Sequence, residues 1–137
     1  MIHQIRVIFG DTDQMGVVYY ANYLRYFESA RADYWRTLGR SYREVEARGL
    51  GLPVVEAHCN YRRPARYEDL LEVELELTEL RAVSMRFGYV IRRGDEVLAD
   101  GYTRHAVVST AGKPTPLPAD LRADLIVRPL STGTPAR

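Results

Sequence analysis

"GDTDQMGVVYYANYLRYFE", residues 10–28, sets a loop rich in acids and glycine directly against a run of aromatics. Upstream, Ile5, Val7 and Phe9 alternate with Gln4, Arg6 and Ile8, a near period of two that predicts a strand over Ile2 to Phe9. Asp11, Thr12 and Asp13 are residue types that favour helix N-caps, and Gly16 stands beside them. From about Val18, the positions Tyr20, Tyr23, Leu24, Phe27, Ala30, Tyr34 and Leu38 recur at threes and fours, which predicts a helix of about five turns. Arg31 is the one polar residue on that stripe. Gly39 suits a left-handed cap, and Ser41 with Glu44 has the spacing of a capping box for a short second helix up to Arg48. So broad an aromatic face needs an equally broad apolar surface to lie on.

The rest of the chain supplies strands for that surface. Pro53 to Arg62 reads as one, and RPARYEDL, with Pro64, as the turn after it. Leu71, Val73, Leu75 and Leu77 alternate with Glu72, Glu74, Glu76 and Thr78, so one face is buried and the other wet. Val83, Met85, Phe87, Tyr89 and Ile91 alternate in the same way with Ser84, Arg86, Gly88, Val90 and Arg92. Gly94-Asp95 then suits a hairpin turn into a strand over Glu96 to Ser109. The three long strands form an antiparallel meander, with glutamates of the first facing Arg86 and Arg92 of the second in exposed pairs worth at most ~1 kcal/mol each. Ala111 to Pro118 reads as a loop, PADLRADL as a last helical turn, and residues 128–137 as a disordered tail. The expected architecture is α+β, a curled antiparallel sheet wrapped around one long helix, with residues 1–127 as one domain. Such a sheet cannot hide its own edges, so self-association is expected, as a twofold dimer with a continuous sheet and beyond it a dimer of dimers, a homotetramer.

Charge and cysteine content narrow the function classes. Lys and Arg number 19 against 18 for Asp and Glu, a net +1 that gives no general attraction to nucleic acid or an anionic membrane. The single Cys59 cannot form an internal disulfide, and no Cys and His pair has zinc-site spacing. No apolar run has signal-peptide or membrane-spanning length, so the expected protein inserts in no membrane and is cytoplasmic.

The stretch DTDQMGVVYYANYLRYFESAR (Asp11 to Arg31), then Tyr61, the PARYEDLLEV run from Pro64 and FGYVIRR from Phe87, resembles the hot-dog-fold acyl-CoA thioesterases of the 4-hydroxybenzoyl-CoA thioesterase type. It is similar in particular to the branch associated with the Tol-Pal cell-envelope system. The resemblance implies a hot-dog fold, hydrolysis of acyl-CoA to free acid and coenzyme A, and no metal or redox cofactor. It maps the family's catalytic carboxylate onto Asp13 and its oxyanion amide onto Tyr20. The Tol-Pal branch often carries His where Tyr20 stands, whereas the 4-hydroxybenzoyl branch carries Tyr, so the branch stays open at this residue.

The chemistry fits those residue types. A thioester carbonyl under attack develops negative charge on oxygen, so its site needs a base or nucleophile and N–H donors aimed at that oxygen. First-turn amides of a helix have no intrahelical acceptors and carry the positive end of the dipole, which nominates the amides around Val18, Tyr19 and Tyr20. Gly16, lacking Cβ, would let backbone approach the substrate. Asn22 would reach the thioester region, and Tyr23, Phe27 and Tyr61 would wall the acyl group. The phosphates of coenzyme A want cations at the mouth, for which Arg62, Arg63, Arg66, Arg92 and Arg93 are the candidates. His58 and His105 lie in strands with no nucleophile nearby and read as structural. Two further readings compete: a non-catalytic acyl-thioester-binding or scaffold domain in which Asp13 merely caps the helix, and a hot-dog dehydratase, for which the motif lacks the histidine.

Overall fold

The structure is a computed structural model and describes residues 1–131. Along the chain run β1 (Ile2–Arg6), a 3-10 turn (Phe9–Asp11), α1 (Asn22–Thr37), α2 (Tyr42–Ala47), β2 (Leu50–Gly51), β3 (Val54–Tyr61), β4 (Leu70–Leu80), β5 (Ser84–Arg93), β6 (Glu96–Ala106), β7 (Val108–Ser109) and α3 (Ala119–Asp124). The main sheet has five strands in the order β1-β4-β5-β6-β3, every neighbouring pair antiparallel. β4, β5 and β6 are the expected meander, with Gly94 at positive φ, 61°, in the tight turn between the last two. β2 and β7 make a separate two-stranded ladder, too short for periodicity to betray.

Alternation puts Leu71, Val73, Leu75 and Leu77 of β4 and Met85, Phe87, Tyr89 and Ile91 of β5 on the inner face, all buried. α1 lays Tyr23, Tyr26, Phe27, Ala30, Tyr34 and Trp35 onto them. Phe27 stacks on Tyr89 with centroids 4.0 Å apart and planes 5° apart, and Tyr34 meets Phe87 edge-on at 5.3 Å. On its other side α1 is tied to β1 by His3, whose Nδ1 lies 3.0 Å from Asp33 and whose Nε2 lies 2.8 Å from Ser29. Gly39, at φ 76°, follows the helix end, and the Ser41 hydroxyl accepts from the Glu44 amide at 3.2 Å to start α2.

Three expectations are corrected. α1 begins at Asn22 and not at Val18, because the backbone before it is committed to other partners. Arg92 pairs with Glu74 at 2.9 Å with little of either side chain exposed, so this is a buried pair, while Arg86 lies over the Tyr102 ring at 4.0 Å. Of the expected disordered tail, residues 132–137 lie outside the described residues, but 128–131 cross the outer face of the sheet. There the Arg128 amide donates to the Leu77 carbonyl, and Ser131 donates through its amide and hydroxyl to Glu74 at 2.7 and 2.6 Å. Leu130 fills the notch over Gly88, where an added Cβ would come within 2.9 Å of its Cδ1. Among the described residues no helix is long and apolar enough to cross a membrane.

A polar chain threads the core. The Leu52 carbonyl can only accept, so the proton between it and His105 Nδ1, 2.9 Å away, belongs to the ring. Nε2 of the neutral ring must then accept from the Thr103 hydroxyl at 2.8 Å, Thr103 Oγ1 from Tyr89 at 2.5 Å, and Tyr89 from Arg31 at 3.0 Å. Burial holds the His105 pKa down at about 4. The unfolded imidazole titrates near ~6.5, so between that pH and 4 only the unfolded chain gains the proton. Stability should therefore be full above about pH 6.5 and fall as pH drops toward 4, by on the order of 3 kcal/mol from this group. Urea denaturation across that interval checks it, and His105→Gln should flatten the slope.

Candidate active site

Thr12 and Val18 face each other as antiparallel partners, and between them the chain turns back within Asp13 to Val17. The Asp13 amide donates to the Val17 carbonyl at 2.9 Å and the Gly16 amide to the Asp13 carbonyl at 2.9 Å. Gly16 holds φ 80°, the left-handed residue such a turn requires, and an added Cβ there would meet nothing within 4 Å. Its need for glycine within the chain is thus conformational.

The turn fixes Asp13. Oδ1 accepts from the Met15 amide at 2.9 Å, an Asx turn, while Oδ2 has no partner among the described residues and the side chain is only half-buried. Asp11 has the opposite environment. It is buried, its carboxylate accepts from Tyr26 at 2.8 Å, and its carbonyl accepts from the Tyr19 amide and from Asn22 Nδ2, each at 2.9 Å. Burial first and this carboxylate second push the Tyr26 phenol pKa well up, so it stays a donor. Thr12 Oγ1 donates to the Phe9 carbonyl at 2.7 Å. The N-cap of α1 is Ala21 with no side-chain cap, so neither Asp11, Thr12 nor Asp13 caps that helix.

The amides sort themselves in the same way. Val18 donates to the Ala65 carbonyl at 2.8 Å and Tyr19 to Asp11, which removes both as oxyanion donors. The Asn22 and Tyr23 amides donate to the Tyr19 and Tyr20 carbonyls. Among the described residues the amides of Tyr20 and Ala21 have no acceptor. Ala21 was missed in the sequence, because only the late start of α1 frees its amide.

A groove of about 260 Å³ lies beside this turn, lined by Val18, Tyr20, Tyr23, Tyr61, Arg62, Arg63 and Pro64. Tyr61 donates to the Tyr20 carbonyl at 3.1 Å, and the Ala65 amide donates to the buried Tyr23 oxygen at 3.2 Å. Burial raises the Tyr61 pKa to about 12, so its ring is a neutral wall at physiological pH. The structure thereby brings Val18, Tyr20, Tyr23 and Tyr61 together with two of the arginines.

Other expected residues lie elsewhere. Phe27 is fully buried against Tyr89 and belongs to the core. Asn22 is a loop clamp, its amide on the Asp11 carbonyl and its oxygen near Arg25 at 3.4 Å. Arg92 is held by Glu74 on the outer face, and Arg93 is taken up by Asp69, Glu96 and the Pro64 carbonyl. Arg62 pairs with Asp100 at 2.5 Å and Arg63 with Glu96 at 3.0 Å, whereas exposed Arg66 makes no ion pair within 4.0 Å among the described residues. His105 sits in the core chain, and His58 lies along the Tyr102 ring at 5.4 Å.

A curled sheet around one helix, with a carboxylate, unclaimed amides and a cation-edged groove at the helix start, defines a hot-dog protein of the thioesterase class. The family model for the Thioesterase-like superfamily matches residues 7–125, and the chain belongs to that family. It is 34% identical over 121 residues to the acyl-CoA thioesterase YbgC of Haemophilus influenzae, covering 87% of this chain and 89% of that one. It is 35% identical over 121 residues to the 1,4-dihydroxy-2-naphthoyl-CoA hydrolase of Synechococcus elongatus, covering 85% and 89%. Among solved structures, a hypothetical protein of Aquifex aeolicus superposes with a TM-score of 0.88 at 35% identity, over 92% of this chain and 99% of that one.

Because the Asp11 carboxylate is buried, Tyr26→Phe removes the one hydroxyl donating to it among the described residues and leaves it Arg25 at 3.9 Å. Chemical denaturation should show a loss of about 1–3 kcal/mol.

Proposed function

We propose that the protein hydrolyses acyl-CoA thioesters to a free acid and coenzyme A, with Asp13 as general base or nucleophile and the Tyr20 amide as oxyanion donor. The observation that carries this is the groove in which Tyr20, Tyr23 and Tyr61 meet Arg62 and Arg63, with Val18, which closes the turn carrying Asp13, in its wall and Asp13 itself just outside the lining. The carbonyl oxygen accepts from the unclaimed Tyr20 amide, and Asp13 Oδ2 either takes the proton of an attacking water or attacks itself. In the first case that proton passes to the departing thiolate, giving the acid and the thiol. In the second, attack gives a mixed anhydride and the thiolate, and a water then hydrolyses the anhydride, restoring the Asp13 carboxylate and releasing the acid and the thiol. The tyrosine rings suit an acyl group with an aromatic part, in keeping with the relative that acts on 1,4-dihydroxy-2-naphthoyl-CoA. Arg63 stands exposed in the groove wall, and Arg66, exposed three residues on and paired through its backbone with Val17, is the second candidate to meet the phosphates.

The functional unit is proposed to span residues 1–131, the sheet-covering segment included, and to work in the cytoplasm as a dimer or dimer of dimers. β3 is an edge strand with Val54, Val55 and Tyr61 exposed, and it ends at the groove. A second copy paired along that edge would wall the side of the groove that one chain leaves open.

Asp13→Asn should lower kcat on short, long or aromatic acyl-CoA substrates by about 10²–10⁴ with an unchanged melting temperature; turnover left intact would remove Asp13 from the chemistry. Arg63→Ala and Arg66→Ala should each raise KM roughly tenfold for acyl-CoA. Neither should change KM for an acyl-pantetheine lacking the nucleotide phosphates. Sedimentation should give two or four times the 15.7 kDa chain mass. An active monomer would overturn the assembly.

A further inference from the structure

Under the middle of α1 lies a second cavity, of about 240 Å³, walled by Trp35, Tyr42, Leu52 and Phe87, with Arg31 and Glu28 at its side. It shares no lining residue with the groove at Tyr20. Arg31 lies nine residues past Asn22, about 14 Å farther along the axis at ~1.5 Å per residue. Arg31 is half-buried on the helix's apolar stripe, yet it makes no ion pair within 4.0 Å among the described residues. One N–H goes to the Tyr89 oxygen, and the Tyr89 proton is already committed to Thr103 by the order of the core chain. The remaining guanidinium donors have no protein acceptor among the described residues. Those donors stay accessible and unclaimed by the described residues, and an arginine fork is matched by a carboxylate. An apolar cavity of about 150 Å³ takes up benzene, so 240 Å³ is room for one ring with its substituent.

We infer that this cavity is a binding site for a single-ring aromatic carboxylate, the carboxylate on Arg31 and the ring against Trp35 and Phe87. Glu28, three residues before Arg31 on the same rim, opposes an anion and weakens the site. The inference stands apart from hydrolysis at Asp13 because it is read by binding alone.

Benzoate is the probe, added to the whole chain with no acyl-CoA present. Trp35 is the single tryptophan, so its fluorescence reports the cavity wall. Benzoate should change that emission saturably, whereas acetate and benzyl alcohol should need about tenfold higher concentration or fail. Arg31→Met, and Arg31→Gln should the first not fold, should weaken benzoate about tenfold or more, and Glu28→Gln should tighten it roughly threefold. Far-UV circular dichroism establishes that each variant is folded. Asp13→Asn should bind benzoate as the parent does, so loss of turnover with binding retained separates the two sites. No response to benzoate, equal response to benzyl alcohol, or benzoate affinity unchanged in a folded Arg31 variant would each overturn the inference.

Discussion

Asp11 fastens the loop that carries the proposed chemistry to the helix that carries the core. Its carbonyl takes the Tyr19 amide and the Asn22 side chain, and its carboxylate takes the Tyr26 hydroxyl from the buried face of α1. Those bonds fix where α1 can begin. With the Tyr19 amide spent on Asp11 and the Val18 amide on Ala65, helical bonding starts late, and the unclaimed amides fall at Tyr20 and Ala21. The same anchor sets the Thr12–Val18 bridge, whose turn holds Asp13 with one oxygen on the Met15 amide and the other open. The first acid of the motif is buried so that the last one can be presented.

How much of this was legible depends on where each signal is written. β4, β5 and the middle of α1 have one buried face, so burial stamps its period on the sequence, and the inner-face residues follow from parity alone. The start of α1 does not. Val18 and Tyr20 extend the apolar stripe toward the N-terminus, but the bond that takes Val18 out of the helix comes from Ala65, and nothing local reports it. Phe27 and Tyr23 both belong to the stripe, and only the packing separates the ring under Tyr89 from the ring at the groove. The arginines divide similarly. Arg92 points to the outer face, where Glu74 waits, while Arg93, its neighbour, points the other way to Asp69 and Glu96. The segment over Gly88 was illegible because Leu130 fits a notch made by residues far away in sequence.

The two faces of the sheet solve burial differently. Inside, contact is mostly apolar or aromatic, and the polar chain from Tyr89 through Thr103 and His105 to the Leu52 carbonyl runs in one direction, fed at its head by one Arg31 N–H. A neutral His105 is a condition of that order, since a second ring proton would face the Thr103 hydroxyl proton and reverse the chain toward a cation. Outside, charges remain and are covered. Glu74 is surrounded by Arg92 and by both donors of Ser131, and these hydrogen bonds and the guanidinium hold its carboxyl below the ordinary range despite burial.

The open side of the groove then follows from the same economy of partners. Tyr19 and Tyr20 are 47% and 60% exposed, and Val54, Val55 and Tyr61 at the β3 edge are exposed with them. Aromatic surface of this extent beside an unpaired strand edge is unfavourable in water and invites an identical edge. Pairing β3 with itself antiparallel brings the start of one strand to the end of the other, so that each copy would cover its partner's Tyr61 and, with it, the space between Asp13 and Tyr20. Excluding water there would strengthen the attraction between a developing oxyanion and the Tyr20 amide, because the same dipole acts through a lower dielectric. On this account assembly and chemistry share one cause: the surface a single chain cannot cover is the surface on which a thioester would have to lie.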